Sequence, residues 1–427
     1  MIIIENKNVI PIIRNTLNTI DIRLVDHGQR VTYLVAHMLK VSGRQLSQKE
    51  TRDILMACFL HDIGAYKTEE IDQMVEFESW DIYGHSTYGY LFFKHLSPLK
   101  DYANLPLYHH VHYKMLKKFK LEQEDIIQFL SIADRADMYM LEHKNPEKLI
   151  KIMDSYRDNF FKSSCIDIFF KAEEHFHLLD TLIAKDADFT LSEFDELPFS
   201  EDEINSYLHM IAYSIDFRSE YMVAHTITTT SISCELARLC HMNKDDQKRI
   251  YYGALLHDVG KVAIPVSILD FPGKLNDQDM QIMRSHAEHT IHILDHLLDE
   301  DTAHIAARHH EKLDGSGYPL GLDEHNLSKA DRIVAIADIL SALVGKRSYK
   351  EAFDTSKIRL ILSTMVEHHQ IDGEITRIAL TSFDEIIQTV HQDCAPILES
   401  YYAIAKEYRE IIKKFSESYV HKNKKMI

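Results

Sequence analysis

The feature of this sequence that most constrains its fold is an internal repeat of histidine and aspartate residues. Residues 60–64 read Leu-His-Asp-Ile-Gly, and residues 256–260 read Leu-His-Asp-Val-Gly. When the two halves are aligned on these pairs, seven positions match in order: His27, His61, Asp62, His85, His109, His110 and Asp134, then His225, His257, Asp258, His286, His309, His310 and Asp338. The first histidine precedes the His-Asp pair by 34 residues in one half and by 32 in the other. The repeat therefore predicts two similar domains in one chain.

Length and composition agree with two helical domains. At 427 residues the chain exceeds the usual size of one domain, which is about 100 to 200 residues. Hydrophobic residues make up 45% of the chain, and it has only 13 glycines and 9 prolines, which favours an all-α fold. The acidic stretch 192–203 contains a proline, so we place the domain boundary there and predict domains at 1–195 and 196–427.

Helix signals place the His-Asp pair similarly in both halves. Residues 47–50 are predicted to form a capping box that begins a helix, and Gly64 is expected to end this helix. The pair His61-Asp62 would then lie in its last turn. Asn243 is expected to cap the equivalent helix, which ends at Gly260. The aromatic-rich segment 138–195 is predicted to be an amphipathic helical connector. A rigid connector, a dimer interface and ordinary core packing all explain its aromatic residues.

The charge of the chain limits its partners and its compartment. The net charge of −18 argues against binding of a nucleic-acid polymer, which normally requires a basic face. The five cysteines show no C-x-x-C spacing, and no export signal or membrane-spanning stretch is apparent. We therefore expect a cytoplasmic protein without membrane insertion. The sequence is compatible both with a homodimer and with binding to a signalling protein partner.

The repeated residues are suited to binding metal. Imidazoles and carboxylates without thiolates suit borderline to hard divalent ions, and a ligand set with one central aspartate suits two ions bridged by that carboxylate. The alternative is a buried His-Asp pair that only forms a hydrogen bond in the core. Two ions about 3.5 to 4 Å apart would activate a hydroxide for attack on phosphorus, so phosphodiester hydrolysis is the chemistry that we expect.

The second half resembles the HD-GYP branch of the HD superfamily of phosphohydrolases. Four motifs carry the resemblance: HDVGKVAIPVSIL at 257–269, PGKL at 272–275, HHEKLDGSGYP at 309–319 and RIVAIADILSAL at 332–343. The resemblance implies an all-helical domain that hydrolyses cyclic di-GMP, a bacterial second messenger, to the linear dinucleotide pGpG, to GMP or to both. It also implies two divalent metal ions, with iron or manganese as the usual pair.

The resemblance assigns a role to each matched residue. One metal would be held by His225, His257, Asp258 and Asp338, and the other by Asp258, His286, His309 and His310. Asp258 would bridge the two ions and take part in catalysis, and Lys261 would face a phosphate oxygen or the leaving group as a catalytic residue. The substrate would be bound by Gly315, Gly317, Tyr318, Arg347 and Lys350. A Gly-rich turn and a solvated helix end are the alternatives for these last residues.

The chain departs from the family pattern at two informative positions. Some members bind a third metal through a glutamate four residues before the first histidine, but Tyr221 stands there and Glu220 is one residue out of phase. We therefore expect two metals. The second aspartate of the family's Asp-x-x-Asp-Ala-Leu motif is replaced by Ser341, which puts substrate orientation and rate in question.

The first half is a divergent HD-like domain. It keeps all seven positions, which form a candidate second metal site, but Ala65 stands where the second half has Lys261, and no Gly-Tyr-Pro follows His109-His110. We predict a regulatory sensor or scaffold; a hydrolase for another phosphate ester is the alternative. For the second half, the alternatives are hydrolysis of another cyclic dinucleotide, such as cyclic GMP-AMP, and a weakly active cyclic-dinucleotide receptor.

Overall fold

In the computed structural model, the described part of the chain is helical. It comprises residues 3–19, 25–65, 84–184, 189–191, 194, 198–219, 222–345 and 354–423, with side chains up to residue 414. Within these ranges the secondary structure consists of α-helices and short 3-10 helices, and no strand is present. The all-α prediction is confirmed.

The helices are numbered in chain order. Those up to residue 183 are α1 Val9–Asn18, α2 His27–Val41, α3 Gln48–Phe59, α4 Gly84–Leu96, α5 Asn104–Tyr108, α6 Tyr113–Leu116, α7 Glu124–His143, α8 Pro146–Ser155, α9 Ser163–Phe176 and α10 Leu178–Ile183. The later helices are α11 Glu201–Asp216, α12 His225–Leu239, α13 Lys244–Leu256, α14 Val266–Leu269, α15 Asp277–Arg284, α16 His286–Leu294, α17 Glu300–Ala307, α18 Lys329–Val344, α19 Thr355–Glu367, α20 Gly373–Thr381 and α21 Phe383–Asn423. Short 3-10 helices lie at Asn6–Asn8, Lys100–Tyr102 and Val259–Ala263.

The chain divides into two compact units, and each unit takes a segment from the far end of the chain. One unit comprises residues 1–20 and 204–403, and the other comprises residues 21–203 and 404–427. The junction at residue 203 lies close to the boundary predicted from the acidic stretch. The first and last segments, however, belong to the unit of the opposite repeat. Among the described residues, no helix combines the length and apolar character needed to cross a bilayer.

The unit of the first repeat is built on α2, α3 and α7. Helix α2 packs against both α3 and α7. The capping box at the start of α3 is confirmed, because the Ser47 side chain accepts from the Glu50 amide while the Glu50 carboxylate accepts from the Ser47 amide. The predicted end of this helix is wrong by one turn. Helix α3 stops at Phe59, so His61 and Asp62 lie in the turn that follows.

The segment 138–195 contributes to the core of this unit. Helix α9 packs against both α2 and α7, and helices α8 and α10 also contact α7. Phe161 and Phe169 are fully buried there. Of the three explanations for the aromatic residues, the structure supports core packing.

The unit of the second repeat is built on α12, with α13 and α18 packed against it. The Asn243 side chain accepts from the Asp246 amide and caps α13, as predicted. The predicted end of this helix at Gly260 is wrong by about one turn, because α13 ends at Leu256 and the 3-10 helix Val259–Ala263 follows the His-Asp pair. As in the first repeat, the pair therefore follows its helix.

Helix α1 belongs to the unit of the second repeat. It contacts α16, which begins at the predicted ligand His286, and the 3-10 helix Val259–Ala263, which follows Asp258 and contains Lys261. The Asn8 side-chain amide donates to the Leu297 carbonyl at 3.0 Å, and the Asn15 amide donates to the Ile293 carbonyl at 3.1 Å. Together with the buried apolar face of α1, these contacts join the beginning of the chain to the second repeat.

Candidate metal centres

Four of the seven ligands predicted in the second repeat, all histidines, surround the carboxylate of a fifth, Asp258. Its Oδ2 atom lies 3.2 Å from His225 Nε2 and 3.1 Å from His257 Nε2. Its Oδ1 atom lies 3.4 Å from His286 Nε2 and 3.8 Å from His309 Nε2. One carboxylate oxygen thus faces each pair of histidines, which is the arrangement of a bridging ligand.

Asp338 completes this cluster from α18. Its Oδ1 atom lies 3.1 Å from His225 Nε2, and its Oδ2 atom lies 3.5 Å from His310 Nδ1. All seven residues are therefore brought together, as the sequence predicts.

Hydrogen bonds from the outer ring nitrogens of three histidines determine which nitrogen faces Asp258. Nδ1 of His257, His286 and His309 each donates to the carbonyl three residues earlier, at 2.6, 2.6 and 2.8 Å. A neutral imidazole has one N–H, so each Nε2 presents a lone pair. Nε2 of His286 and Nε2 of His309 are 3.3 Å apart, a distance at which two lone pairs repel. His257 Nε2 and Asp258 Oδ1 are buried without a hydrogen-bond partner. A cation would satisfy all these atoms, so the residues fit a metal.

The protonation states agree with a ligand role. Burial lowers the pKa of His286 to about 3 and that of His310 to about 4, so both rings are neutral at pH 7. Burial also lowers the pKa of His225, but its hydrogen bonds to Asp258 and Asp338 outweigh this effect and raise the pKa to about 9. A proton on His225, or a divalent cation bound between His225 and the two carboxylates, satisfies His225, Asp258 and Asp338 equally.

A close approach between two backbone segments holds the cluster together. A Cβ atom at Gly260 would overlap the carbonyl oxygen of His286, and one at Gly64 would overlap that of His85. Only glycine allows the turn after each His-Asp pair to approach the segment that carries the third histidine. In the second repeat, the Thr290 hydroxyl donates to the His257 carbonyl and accepts from the Gly260 amide, which secures the contact.

Lys261 and Ser341 make direct contacts with the cluster. The Lys261 ammonium lies 2.5 Å from Asp258 Oδ2 and is largely buried. The Ser341 hydroxyl lies 3.1 Å from His225 Nδ1, on the side of the ring away from Asp258. The serine that replaces the family's aspartate therefore still orients the first histidine.

The Gly-rich loop places Tyr318 beside the cluster. The Tyr318 ring centroid lies 4.6 Å from that of His310, and the Arg284 guanidinium lies 5.2 Å from the Tyr318 ring. The buried carboxylate of Glu311 accepts from the amides of Leu320 and Leu322, at 2.7 and 2.9 Å, and so holds the loop.

Two glycines shape this loop in different ways. Gly315 adopts a left-handed φ of 73°, and a Cβ at Gly317 would lie 2.5 Å from the Glu311 backbone. The predicted substrate residues Arg347 and Lys350 lie outside the described residues, as do Glu220 and Tyr221. Arg284 and Glu311 were not among the predicted site residues, although Glu311 lies within the conspicuous HHEKLDGSGYP motif.

The first repeat forms a cluster of the same design. Asp62 Oδ2 lies 3.3 Å from His61 Nε2 and 3.6 Å from His27 Nε2, whereas Asp62 Oδ1 lies 3.6 Å from His85 Nε2 and 3.5 Å from His109 Nε2. Four of the seven residues, all histidines, therefore surround the carboxylate of a fifth, Asp62, here too. The two others, His110 and Asp134, are 3.8 Å apart, from Nδ1 to Oδ2.

Two residues that the sequence did not identify contact this first cluster, and a third contacts it through one of them. Asp137 accepts from His27 Nδ1 at 2.7 Å and forms a two-pronged ion pair with Arg30. Arg135, which is 1% exposed, lies 2.9 Å from His110 Nδ1. Arg135 and Asp137 lie one and three residues after the predicted ligand Asp134, but the repeat of histidines and aspartates gave no reason to select them.

The first cluster lacks the groups that flank the second cluster. Ala65 is buried at the position equivalent to Lys261 and provides no ammonium group. After His110 the chain enters the short helix α6, whereas the second repeat forms the Gly-rich loop. The two clusters therefore share their ligands but differ in the groups available to a substrate.

Comparison with known families identifies a domain of the same family in each half of the chain. Family models described as HD domain match residues 24–156 and residues 209–375. The chain belongs to the HD-domain family, with a divergent first copy and a second copy of the HD-GYP type.

Its relatives include phosphodiesterases of cyclic dinucleotides. The 3'3'-cGAMP-specific phosphodiesterase 1 of Vibrio cholerae is 24% identical over 89% of this chain and 90% of that protein. The cyclic di-GMP phosphodiesterase response regulator RpfG of Xanthomonas campestris is 35% identical over 36% of this chain and 41% of that protein. The crystal structure of the V. cholerae cyclic GMP-AMP specific phosphodiesterase V-cGAP3 is similar in fold, with a TM-score of 0.56 and 19% identity over 88% of this chain and 97% of that one.

Proposed function

We propose that the second HD domain is a metal-dependent phosphodiesterase that hydrolyses a cyclic dinucleotide, with cyclic di-GMP as its substrate. The observation that carries this proposal is the position of Asp258, which presents one carboxylate oxygen to each of two pairs of histidines, with Lys261 in contact. The relatives named for cyclic dinucleotides support this substrate class.

The second domain is proposed to hold two divalent ions, iron or manganese. The ligands would be His225, His257, Asp258 and Asp338 for one ion, and Asp258, His286, His309 and His310 for the other. Such a pair supplies an activated hydroxide and neutralises charge on the phosphoryl oxygens. Neutral imidazoles and carboxylates are the ligands that these ions accept.

The surrounding side chains are assigned to substrate and leaving group. Lys261 has an ammonium group within the cluster, so it can donate a hydrogen bond to a phosphate oxygen or a proton to the departing ribose oxygen. Burial raises the pKa of the Tyr318 phenol, so this group remains a hydrogen-bond donor at neutral pH. Gly315 and Gly317 let the loop backbone approach the ligand. Arg347 and Lys350 are proposed to hold the second phosphate.

The base preference and the product are tested on the full-length chain. The protein is reconstituted with manganese or iron, incubated separately with cyclic di-GMP and 3'3'-cyclic GMP-AMP, and the nucleotides are separated by chromatography. We expect conversion of cyclic di-GMP to pGpG or GMP that ceases when a chelator is added. Faster turnover of cyclic GMP-AMP would reassign the substrate. Absence of turnover with both nucleotides, in protein loaded with metal, would contradict the phosphodiesterase proposal.

The first HD domain is proposed to be regulatory. It has no counterpart of Lys261 and no Gly-rich loop, so it lacks the groups assigned to the substrate. Association as a homodimer or with a signalling protein stays a prediction.

A further inference from the structure

We infer that the first HD domain holds a single metal ion, because a hydrogen-bond chain that starts at the buried Arg135 replaces the second ion. This inference goes beyond the function proposed for the second domain. It concerns the other cluster and is tested by counting metal ions, not by measuring turnover.

The chain of hydrogen bonds runs from Arg135 through His110 to His85. Arg135 Nη2 lies 2.9 Å from His110 Nδ1, and a guanidinium group can only donate. His110 Nδ1 is therefore the acceptor, and the single proton of the neutral ring lies on Nε2. That atom is 3.1 Å from His85 Nε2, to which it donates. The Ser86 hydroxyl lies 3.3 Å from the same His85 nitrogen.

The directions of these hydrogen bonds make two histidines, His110 and His85, unavailable as ligands for a second metal ion. His110 Nε2 carries a proton and has no lone pair for a metal. The lone pair of His85 Nε2 accepts from His110 and is directed into that hydrogen bond. Only His109 keeps a lone pair on this side of Asp62, because its Nδ1 donates to the Pro106 carbonyl at 2.7 Å. One imidazole and one shared carboxylate are too few protein ligands for a tightly held ion.

The second domain differs at the decisive position. Ile339 follows Asp338 where Arg135 follows Asp134, so the second domain has no guanidinium group at this position. His286 and His309 there face one another with two lone pairs. The three histidines after the His-Asp pair lie within metal-binding distance of one another in both domains, so distance alone does not separate the two cases. The two domains differ in the direction of the hydrogen bonds between these histidines.

The other metal position of the first domain is intact. His27 Nδ1 lies 2.7 Å from Asp137 Oδ2 and His61 Nδ1 lies 2.7 Å from the Cys58 carbonyl, so both rings direct Nε2 toward the cluster. His61 Nε2 is buried without a hydrogen-bond partner, and Asp134 Oδ1 lies 3.4 Å from His27 Nε2. Together with Asp62, these side chains converge on one point with acceptor atoms. A single divalent ion satisfies them.

The charge of Arg135 fits this arrangement. Its Nε atom lies 3.9 Å from Asp134 Oδ2 in the buried interior, so the guanidinium provides positive charge on the side where a second ion would lie. A divalent ion at the same place would have to share a poorly solvated region with this cation. The first domain is therefore a one-ion site, without the pair of ions that the second domain is proposed to use.

Metal counting of the full-length protein tests the inference. The chain is stripped with a chelator, reloaded with manganese, freed of weakly bound ions and analysed by elemental mass spectrometry against protein concentration. We expect three ions per chain, two in the second domain and one in the first. Four ions would overturn the inference, and so would two ions with both in the second domain.

Electron paramagnetic resonance separates the two sites. When Asp258 and Asp338 are replaced by alanine, the manganese that remains lies in the first domain. We expect one ion with the uncoupled six-line spectrum of an isolated manganese(II). A spin-coupled pair, or no bound manganese, would contradict the single-ion site. This readout does not depend on turnover, so a failure of the proposed enzymatic function would leave it interpretable.

Matched substitutions test the hydrogen-bond chain. His110→Gln is expected to leave the count at three ions, whereas His310→Gln in the second domain is expected to lower it by one. Arg135→Ile, which introduces the residue type found at Ile339, is expected to free the second position and raise the count to four. A count of two for His110→Gln, or of three for a folded Arg135→Ile protein, would overturn the inference. If the Arg135→Ile protein does not fold, the metal count of the wild-type protein and the manganese spectrum of the Asp258 and Asp338 double variant still test the single-ion site.

Discussion

Replacing Gly317 with alanine tests whether the backbone of the Gly-rich loop sets the position of Tyr318 for turnover. A Cβ at residue 317 would lie 2.5 Å from Glu311 Cα and 2.6 Å from Lys312 N. Carbon atoms in contact are normally about 3.5 to 4.0 Å apart, so the loop has to move by about 1 Å. The obstructing atoms belong to the backbone and cannot rotate away. Tyr318 is the next residue and has to move with the loop.

The expected effect follows from this displacement. Misplacing a group that contacts the substrate by about 1 Å costs about 100-fold in rate, which corresponds to about 2.7 kcal/mol of lost transition-state stabilisation. We therefore expect Gly317→Ala to lower kcat/KM for cyclic di-GMP by about 100-fold. The metal count should not change, because no ligand lies between residues 311 and 337. Overpacking should lower the free energy of unfolding by about 1 to 3 kcal/mol.

The assay combines steady-state kinetics with metal analysis and urea unfolding. Gly273→Ala is the control in the same domain, because its nearest obstruction is the side chain of the exposed Phe271, which can move aside. This variant should keep wild-type kinetics. If Gly317→Ala is folded, binds metal and stays within about threefold of wild-type kcat/KM, the reasoning about the loop is refuted.

Three further perturbations have defined outcomes. Ser341→Ala removes the hydroxyl that lies 3.1 Å from His225 Nδ1, so manganese affinity of the second domain should fall about 10- to 100-fold in a metal titration; unchanged affinity would exclude an orienting role. Asp137→Asn weakens the contact to His27 Nδ1, so the same loss is expected in the first domain, measured in the Asp258 and Asp338 double variant. Burial lowers the pKa of His209 to about 4, below its value of about 6.5 in the unfolded chain, so the unfolded state binds more protons and stability falls as the pH drops through this range. From pH 7 to 5 this group should cost about 2 kcal/mol in urea unfolding, and His209→Gln should reduce that slope; an unchanged slope would show that His209 is not the group responsible.

The ligand positions and the helix starts could be predicted because they depend on local sequence. The capping residues Ser47 and Asn243 make hydrogen bonds within one turn, so their effect does not depend on the rest of the fold. The repeated order of histidines and aspartates gave both clusters, since seven matched positions reflect one arrangement of ligands. The end of α3 was placed one turn too late because the turn after Phe59 is stabilised by contacts with α4, through the close approach at Gly64.

Other features depend on contacts between residues far apart in sequence and could not be predicted. Asn8 and Asn15 bond to carbonyls almost 300 residues away, and nothing in the sequence of α1 indicates its partner. Nothing in the local sequence around Arg135 indicates that this residue is buried and lies 2.9 Å from His110 Nδ1. Which histidine nitrogen carries a proton follows from such contacts, so the inference of a single-ion site in the first domain could not be drawn from the sequence.

The most direct test of the central claim compares Asp258→Ala with Asp62→Ala in the full-length chain. The two aspartates hold the same place in the two clusters, so each substitution removes the central carboxylate of one domain only. Turnover of cyclic di-GMP is measured in both variants after manganese loading, together with the metal count. We predict that Asp258→Ala abolishes hydrolysis, whereas Asp62→Ala retains it. Loss of hydrolysis in Asp62→Ala with retention in Asp258→Ala would contradict the assignment of catalysis to the second domain.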